Sequence, residues 1–532
     1  MAKNNKFVKG AAILGIAGLV VKAMGAFFRI PLTNWIGADG MSYYGFAYQI
    51  YGVLLVLATA GIPVALSRMV SERIAVGEHK NAHKVFKTAV GLMATIGFIS
   101  FAICYFGAEA ITAKLGNPDA ALAVKAISPA LLFVPVLSSF RGYFQGRQNM
   151  NPTAISEITE QLVRVFAGLI GAYLLLRTGL KEAAAGASFG ASAGAIGGLL
   201  IMVTIYMLNR KVIHQKMELH SHEVESTREI LHKIVMIAVP IIIGSEMMPI
   251  MGLIDTSIIM TRLQATGWTL NESKELYGLF SGFCNSLISF PQIFTQAVAV
   301  SLVPAIAATF KVGDRKGVRD NIQMGYRMTM IMAFPCALGL FALAKPILLL
   351  LYSSQKESAI AAAPTLMIMS IGVIFLAVSQ TSVGVLQAIG LQKLPVRHLF
   401  FGCIGKVIVS YVLVSIPVFN IKGAAIGTIV AYMVDSTLNN RSIKKYTGVK
   451  FNYLLIYGRP MVAAAIMGMG AFGVHKLLAG ILGGSLATLV AILAGAVIYG
   501  ILIFAFKAIT IEELEMLPGG AKLKKIIGKF VK

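Results

Sequence analysis

The sequence predicts an all-α integral membrane protein. It reads as fourteen transmembrane helices: two parallel six-helix repeats forming N and C lobes, plus a terminal helix pair. Three observations predict this. Of 532 residues, 57% are hydrophobic and 13% charged, against about 25% charged in a soluble domain, and the mean hydropathy is +0.77. The basic residues fall in alternate loops. The chain also repeats itself at a fixed offset.

Apolar stretches of about 20 residues are long enough to cross a bilayer. Such stretches run over about 8–35, 43–70, 86–107, 122–143, 156–177, 184–209, 231–262, 277–309, 319–343, 360–389, 394–416, 422–439, 454–475 and 483–506. The N-terminus has the basic start of a signal peptide. Its apolar stretch is too long for one and contains Lys22 and Arg29, so it reads as an uncleaved first helix.

Of the 47 Lys and Arg residues, 29 lie in the N-terminus, the even-numbered loops and the C-terminus, and seven in the odd-numbered loops. The positive-inside rule then places both termini in the cytoplasm. This placement also removes nucleic acid as a reading of the net charge of +24.

VALSRMVSERIAVGEHK (64–80) matches VSLVPAIAATFKVGDRK (300–316) at an offset of 236, and GASFG (186–190) matches GAAIG (423–427) at 237. Six helices per copy is an even number, so the copies enter from one side and are parallel. The expected boundaries are an N lobe 1–210, a cytoplasmic linker 211–230, a C lobe 231–445, a terminal pair 446–510 and a basic cytoplasmic tail 511–532. Runs such as GASFGASAGAIGG (186–198) suit close helix packing in lipid. Prolines such as Pro63, Pro129, Pro291 and Pro304 invite kinks.

No Walker A motif, HExxH or nucleophile pair is present, so the chain does not read as an enzyme and no cofactor is expected. The four cysteines form no CxxC pair, and no metal is expected. His79/His83 and His220/His222 read as solvated loop histidines.

The remaining candidates are ionisable groups inside spans. A charge at mid-membrane depth costs roughly 2.5–3.5 kcal/mol and normally faces protein or a wet cavity. Lys22 and Arg29 are seven residues apart and share one helix face. They either snorkel to opposite surfaces or form a cationic cavity wall for an anionic substrate. Arg68 and Glu72 pair at i, i+4, with Arg68 also a substrate-facing candidate. Glu157, Glu160, Gln161 and Arg164 share a face that lines the cavity or neutralises itself. Asn285, Gln292 and Gln296 offer uncharged sugar-binding groups. Glu246, Asp255 and Asp435 are candidate Na⁺ or H⁺ coupling sites, although Asp435 could instead pair with Lys406.

GAFFRIPLTNWIGADGMSYYGFAYQIYGVLLVLATAGIPVALSRMVSE (25–72) closely resembles the opening of the MurJ/SpoVB-like polysaccharide flippases of Gram-positive bacteria, in the multidrug/oligosaccharidyl-lipid/polysaccharide (MOP) exporter superfamily. The resemblance covers about Phe7 to Lys507. It implies transport of lipid II, an undecaprenyl-diphosphate-linked peptidoglycan precursor, from the inner to the outer leaflet by alternating access. The alternatives are another lipid-linked unit (teichoic acid, capsule, spore cortex) or a cation-coupled drug antiporter. The resemblance also implies that Lys22, with Arg29 one position off, meets the diphosphate, that the terminal pair holds the lipid tail, and that partners come from the cell-wall synthesis machinery. The family's helix 8 arginine is not matched, and its paired basic residues in helix 2 are replaced by Val56 and Leu57. A headgroup of that size cannot cross hydrocarbon unaided, since each unpaired polar group costs several kcal/mol.

Overall fold

The computed structural model describes residues 2–218 and 225–508. His220, His222 and the tail 511–532 lie outside them. Among the described residues the regular structure is helical. The elements are α1 (Ala2–Thr59), α2 (Ile62–Ala75), α3 (His79–Phe106), α4 (Ala108–Lys114), α5 (Ala121–Ile127), α6 (Ala130–Gly146), α7 (Asn151–Leu175), α8 (Leu180–Glu218) and α9 (Thr227–Ala265). They continue with α10 (Leu270–Gly278), α11 (Asn285–Lys311), α12 (Arg315–Ala342), α13 (Ala344–Leu351), α14 (Lys356–Ala388), α15 (Lys393–Val414), α16 (Ile421–Thr447), α17 (Arg459–Leu482) and α18 (Gly484–Ala505).

Eleven stretches among the described residues are long and apolar enough to cross a membrane, and this is a multi-pass membrane protein. One of them, Ala17–Ala75, has 59 residues. As a straight helix it would be about 90 Å long, some three times the hydrocarbon thickness. It folds back at Gly37, where φ is 63° and ψ is −165°, a left-handed backbone that glycine adopts without steric cost. The expected spans 231–262 and 422–439 are helical as parts of α9 and α16 but are not among the eleven.

Two expected spans are broken. The stretch 43–70 divides at Ala60–Gly61 between α1 and α2. Pro63 supplies no N–H in the first turn of α2 and sits where none is needed. The stretch 122–143 divides at Ser128–Pro129 between α5 and α6, where Pro129 caps the start of α6. A π-helical turn, Leu279–Cys284, interrupts the eighth expected span, and another, Leu454–Gly458, opens the thirteenth.

The chain forms two compact units, Met1–Ser286 with Ser410–Ala424, and Leu287–Val409 with Ala425–Lys532. In the first, a core of Phe86, Tyr143, Met69, Met93 and Ile234 joins α2, α3, α6 and α9. The glycine run of α8 packs on α7 so closely that a Cβ on Gly186 would lie 2.5 Å from the Gly171 carbonyl carbon. A Cβ on Gly190 would lie 2.6 Å from the Arg164 carbonyl oxygen. In the second unit, Tyr326, Phe334, Val385, Phe451 and Ala464 form the core. There α17 and α18 pack through Ala471, Ala491 and Gly495, while Leu477, Ile481, Leu493 and Val497 stay exposed.

Candidate functional site

The polar site of the first unit is built from α1 and α7. Lys22 is exposed and Arg29 half-buried on α1. Among the described residues Arg29 makes no ion pair, and the Tyr44 and Tyr277 hydroxyls lie within its electrostatic reach. Arg164 of α7 lies within electrostatic reach of the same buried Tyr44, and of Tyr48 and Tyr51. Tyr44, Tyr48 and Tyr51 recur at i, i+4, i+7, a helix-face stripe that was readable in the sequence but was not picked out there. Gln161 lies behind Gly25, its amide nitrogen 3.4 Å from where a Cβ on that glycine would stand.

Arg164 donates to Glu160 Oε1 at 2.6 Å, and Arg141 of α6 donates to Glu160 Oε2 at 2.9 Å and to Ser156 Oγ at 2.8 Å. Arg164 Nε is buried with no hydrogen-bond partner among the described residues. Glu160 and Arg164 thus pair on the α7 face itself, one turn apart, and Glu157 on the same face lies within electrostatic reach of Arg141 and Glu160. Glu160 is shared by two arginines, and Arg164 keeps an unused donor. Sequence reasoning misses Arg141 as a site residue, because a cross-helix partner leaves no trace in local spacing.

The other candidates are placed differently. Arg68 pairs with Glu72 at 2.8 Å, and their side chains are 66% and 56% exposed. Such a surface pair contributes only about 0.3–0.5 kcal/mol. Asp255 is buried. Its helix neighbour Thr256 contacts the Tyr277 hydroxyl at 3.1 Å. Arg262 is held by Ser415 Oγ at 2.8 Å and lies 4.1 Å from the centroid of the Tyr411 ring. Glu246 is buried, and neither of its carboxylate oxygens has a hydrogen-bond partner among the described residues. Asn285, Gln292 and Gln296 are half-buried along α11, with the boundary between units falling after Ser286.

Among the described residues no ion pair joins Asp435 to Lys406. The Asp435 carboxylate is taken by Ser379 and Asn439 instead. His83 is not a solvated loop residue. The loop before α3 is short, and His83 is buried in that helix, stacked at 3° on Tyr206. Among the described residues no three His, Cys, Asp or Glu side chains gather as metal ligands.

Two ionic clusters stabilise the first unit away from this site. Asp119 accepts from Lys181 and from the buried Lys274. Where the chain leaves the linker, Glu225 is clasped by Arg73 through both carboxylate oxygens, at 2.8 and 2.6 Å, and its carbonyl accepts from Lys84 at 2.5 Å. The Arg73 guanidinium holds the Glu225 carboxyl below its usual range.

The family model described as polysaccharide biosynthesis protein matches residues 7–310, more than half of the chain, and the MatE model matches residues 281–412. The chain is 26% identical to "Lipid II flippase MurJ" of Bacillus subtilis, over 88% of each protein. It is 25% identical to "Stage V sporulation protein B" of the same organism, over the whole of both. Among solved structures it is similar to lipid II flippase MurJ in an inward closed conformation. The TM-score is 0.68 at 15% identity, covering 92% of this chain and 98% of that one. It is also similar to an inward-facing MATE-family multidrug transporter, with a TM-score of 0.67 at 13% identity, covering 82% and 98%.

Proposed function

Because this chain belongs to the polysaccharide biosynthesis protein family of the MOP exporter superfamily, we propose that it flips an undecaprenyl-diphosphate-linked cell-wall precursor, lipid II, from the inner to the outer leaflet. One observation carries the reading: Arg29 and Arg164 both lie within electrostatic reach of Tyr44, with Lys22 seven residues before Arg29 on α1 and Arg141 beside Arg164, so four cations stand against two carboxylates, Glu157 and Glu160. That arrangement leaves net positive charge in a membrane-embedded site, where an anion with several acceptor oxygens is the complementary ligand. Arginine suits a diphosphate because its fork donates two parallel hydrogen bonds.

In this reading the diphosphate binds Lys22 and Arg29, and Arg164 adds positive charge behind them. The Tyr48 ring and the amide of Asn285 meet the sugars. The prenyl chain stays in lipid. With both termini cytoplasmic, the membrane potential favours outward movement of the anion by roughly 2.3 kcal/mol per charge per 100 mV. The buried carboxylates Glu246, Asp255 and Asp435 supply coupling to Na⁺ or H⁺. The likeness to a relative named for stage V of sporulation, over the full length of both chains, favours one second reading: the same chemistry applied to a lipid-linked unit needed during sporulation.

Reconstitution tests the proposal. Vesicles containing the purified full chain and fluorescent lipid II are treated with a membrane-impermeant quencher. The proposal expects label to exchange between leaflets with wild-type protein and not with Lys22→Ala/Arg29→Ala. No exchange with well-inserted wild-type protein, at either sign of membrane potential, would overturn the assignment of lipid II.

A further inference from the structure

The second unit contains a hydrogen-bonded chain that lipid binding does not require. Asp435 of α16 is 1% exposed. Its Oδ2 accepts from Ser379 Oγ of α14 at 2.5 Å, and its Oδ1 accepts from Asn439 Nδ2, one turn on, at 3.0 Å. Asn439 is itself fully buried, and its Oδ1 faces Nδ1 of the buried His398, on α15, at 2.8 Å. Carboxylate, amide and imidazole thus form one chain across two helices, fixed from a third by Ser379. The other titratable groups acting on this region are Cys403, which feels both Lys406 and Asp435, and Tyr326, whose hydroxyl donates to Asn440 at 2.5 Å.

We infer that Asp435, Asn439 and His398 form a proton-binding site and not a sodium site. This deepens the coupling part of the proposed function and narrows its ion to H⁺. The donor set carries the inference. A sodium ion, like other hard cations, needs several oxygen acceptors directed at it. Here both Asp435 oxygens face N–H and O–H donors, whose hydrogens would point at such an ion. A proton needs only the carboxylate.

The chain also specifies the consequence of protonation. With Asp435 ionised, Asn439 presents its NH₂ to the carboxylate and its carbonyl to His398, so the imidazole carries its proton on Nδ1. Once a proton bonds to Asp435 Oδ1, that oxygen becomes a donor and the amide must turn over to offer it Oδ1. The NH₂ group then faces His398 Nδ1, which must accept. The imidazole gives up its Nδ1 proton, which is the one the carboxylate gains, and takes a replacement at Nε2 from water. The net uptake is one proton, held on the carboxyl, and the histidine is neutral in both states. His398 is the sixth residue of α15, close to the loop that precedes it, so tautomer exchange occurs near one end of the unit. Asp435 is the proton-binding residue, and Asn439 and His398 are positioning residues.

Infrared pH titration of the purified full chain in lipid nanodiscs, without lipid-linked substrate, tests this. A carboxylic acid C=O band should grow as the pH falls and be absent from Asp435→Asn. Its midpoint should move by about one unit, a tenfold change, in His398→Leu, and should not move when sodium replaces potassium in the wild-type protein. The sodium comparison needs no variant and is unaffected if one fails to fold. A wild-type midpoint that falls as sodium rises would overturn the inference, because sodium would then compete for the carboxylate. A titration with no band dependent on Asp435, or a midpoint unmoved in a folded His398→Leu protein, would also overturn it. Since no substrate is present, failure here leaves the flippase reading standing, and failed lipid exchange leaves this site standing.

Discussion

Lys274, 4% exposed at its side chain, and Lys181, which stands 2.6 Å from Asp119 Oδ1, share the two oxygens of that one carboxylate. Residues 119, 181 and 274 come from three different connections between spans, so this carboxylate ties three parts of the first unit together. Removing one partner of a buried pair costs about 3–5 kcal/mol, less where a carboxylate is a quarter exposed, as Asp119 is. We expect Asp119→Asn to lower stability by about 2 kcal/mol, read as a lowered thermal unfolding midpoint in detergent. Lys181→Met, which removes the more exposed cation, should lower it by less than half as much.

Glu225 gives a pH-dependent counterpart. Its carboxyl is held below its usual range, first by the hydrogen bonds from Arg73. A depressed carboxyl stabilises the fold above its unfolded value, about 4.3, and that contribution is lost as the pH falls through the folded value. At pH near 7 Glu225→Gln should therefore unfold at a lower temperature than wild type. The gap should close below about pH 4. A gap that persists in acid would show that Arg73 does not act through the charge of Glu225.

The packing of α8 on α7 predicts which glycines tolerate a methyl group. At Gly190 a Cβ would lie within 2.8 Å of the Arg164 and Gly168 backbones, and overpacking of this kind costs about 1–3 kcal/mol. Gly190→Ala should be destabilised by that amount and should lose transport in proportion, because Arg164 is displaced with its backbone. At Gly473 of α17 nothing lies within 4 Å. Gly473→Ala should be neutral or stabilise by up to about 1 kcal/mol.

The cationic site makes the sharpest substitution prediction. A hydrogen bond from a charged donor contributes about 1.5–3 kcal/mol, or roughly 10- to 100-fold in affinity. Arg29→Ala and Lys22→Ala should each weaken binding of an undecaprenyl diphosphate by that factor with unchanged membrane insertion. Lys22→Arg should retain most of the affinity, and Arg68→Ala, whose partner is Glu72, should retain all of it.

Much of the fold was legible in the sequence because hydropathy responds to the bilayer. The stretches around α3, α7, α8, α12, α14 and α18 sit where the apolar runs placed them. The breaks at Ala60–Gly61 and Ser128–Pro129 were signalled by Pro63 and Pro129, but a hydropathy window averages across a proline. The site was half legible. Lys22, Arg29 and Arg164 stand out because charge in a span is costly, whereas Tyr44 blends into an aromatic, apolar background. Partners from distant helices, such as Arg141 for Glu160 or His398 for the Asp435–Asn439 pair, carry no local spacing and became visible only in three dimensions.

If this chain flips lipid II, it exposes lipid II on the outer face of the membrane. The most direct measurement uses cells whose own lipid II flippase can be switched off, with this protein as the replacement, and reads lipid II accessible to an external probe. We predict that the wild-type chain restores exposure and that Lys22→Ala/Arg29→Ala, present at the same level in the membrane, does not. No restoration by a correctly inserted wild-type chain would contradict the claim, as would full restoration by the double variant.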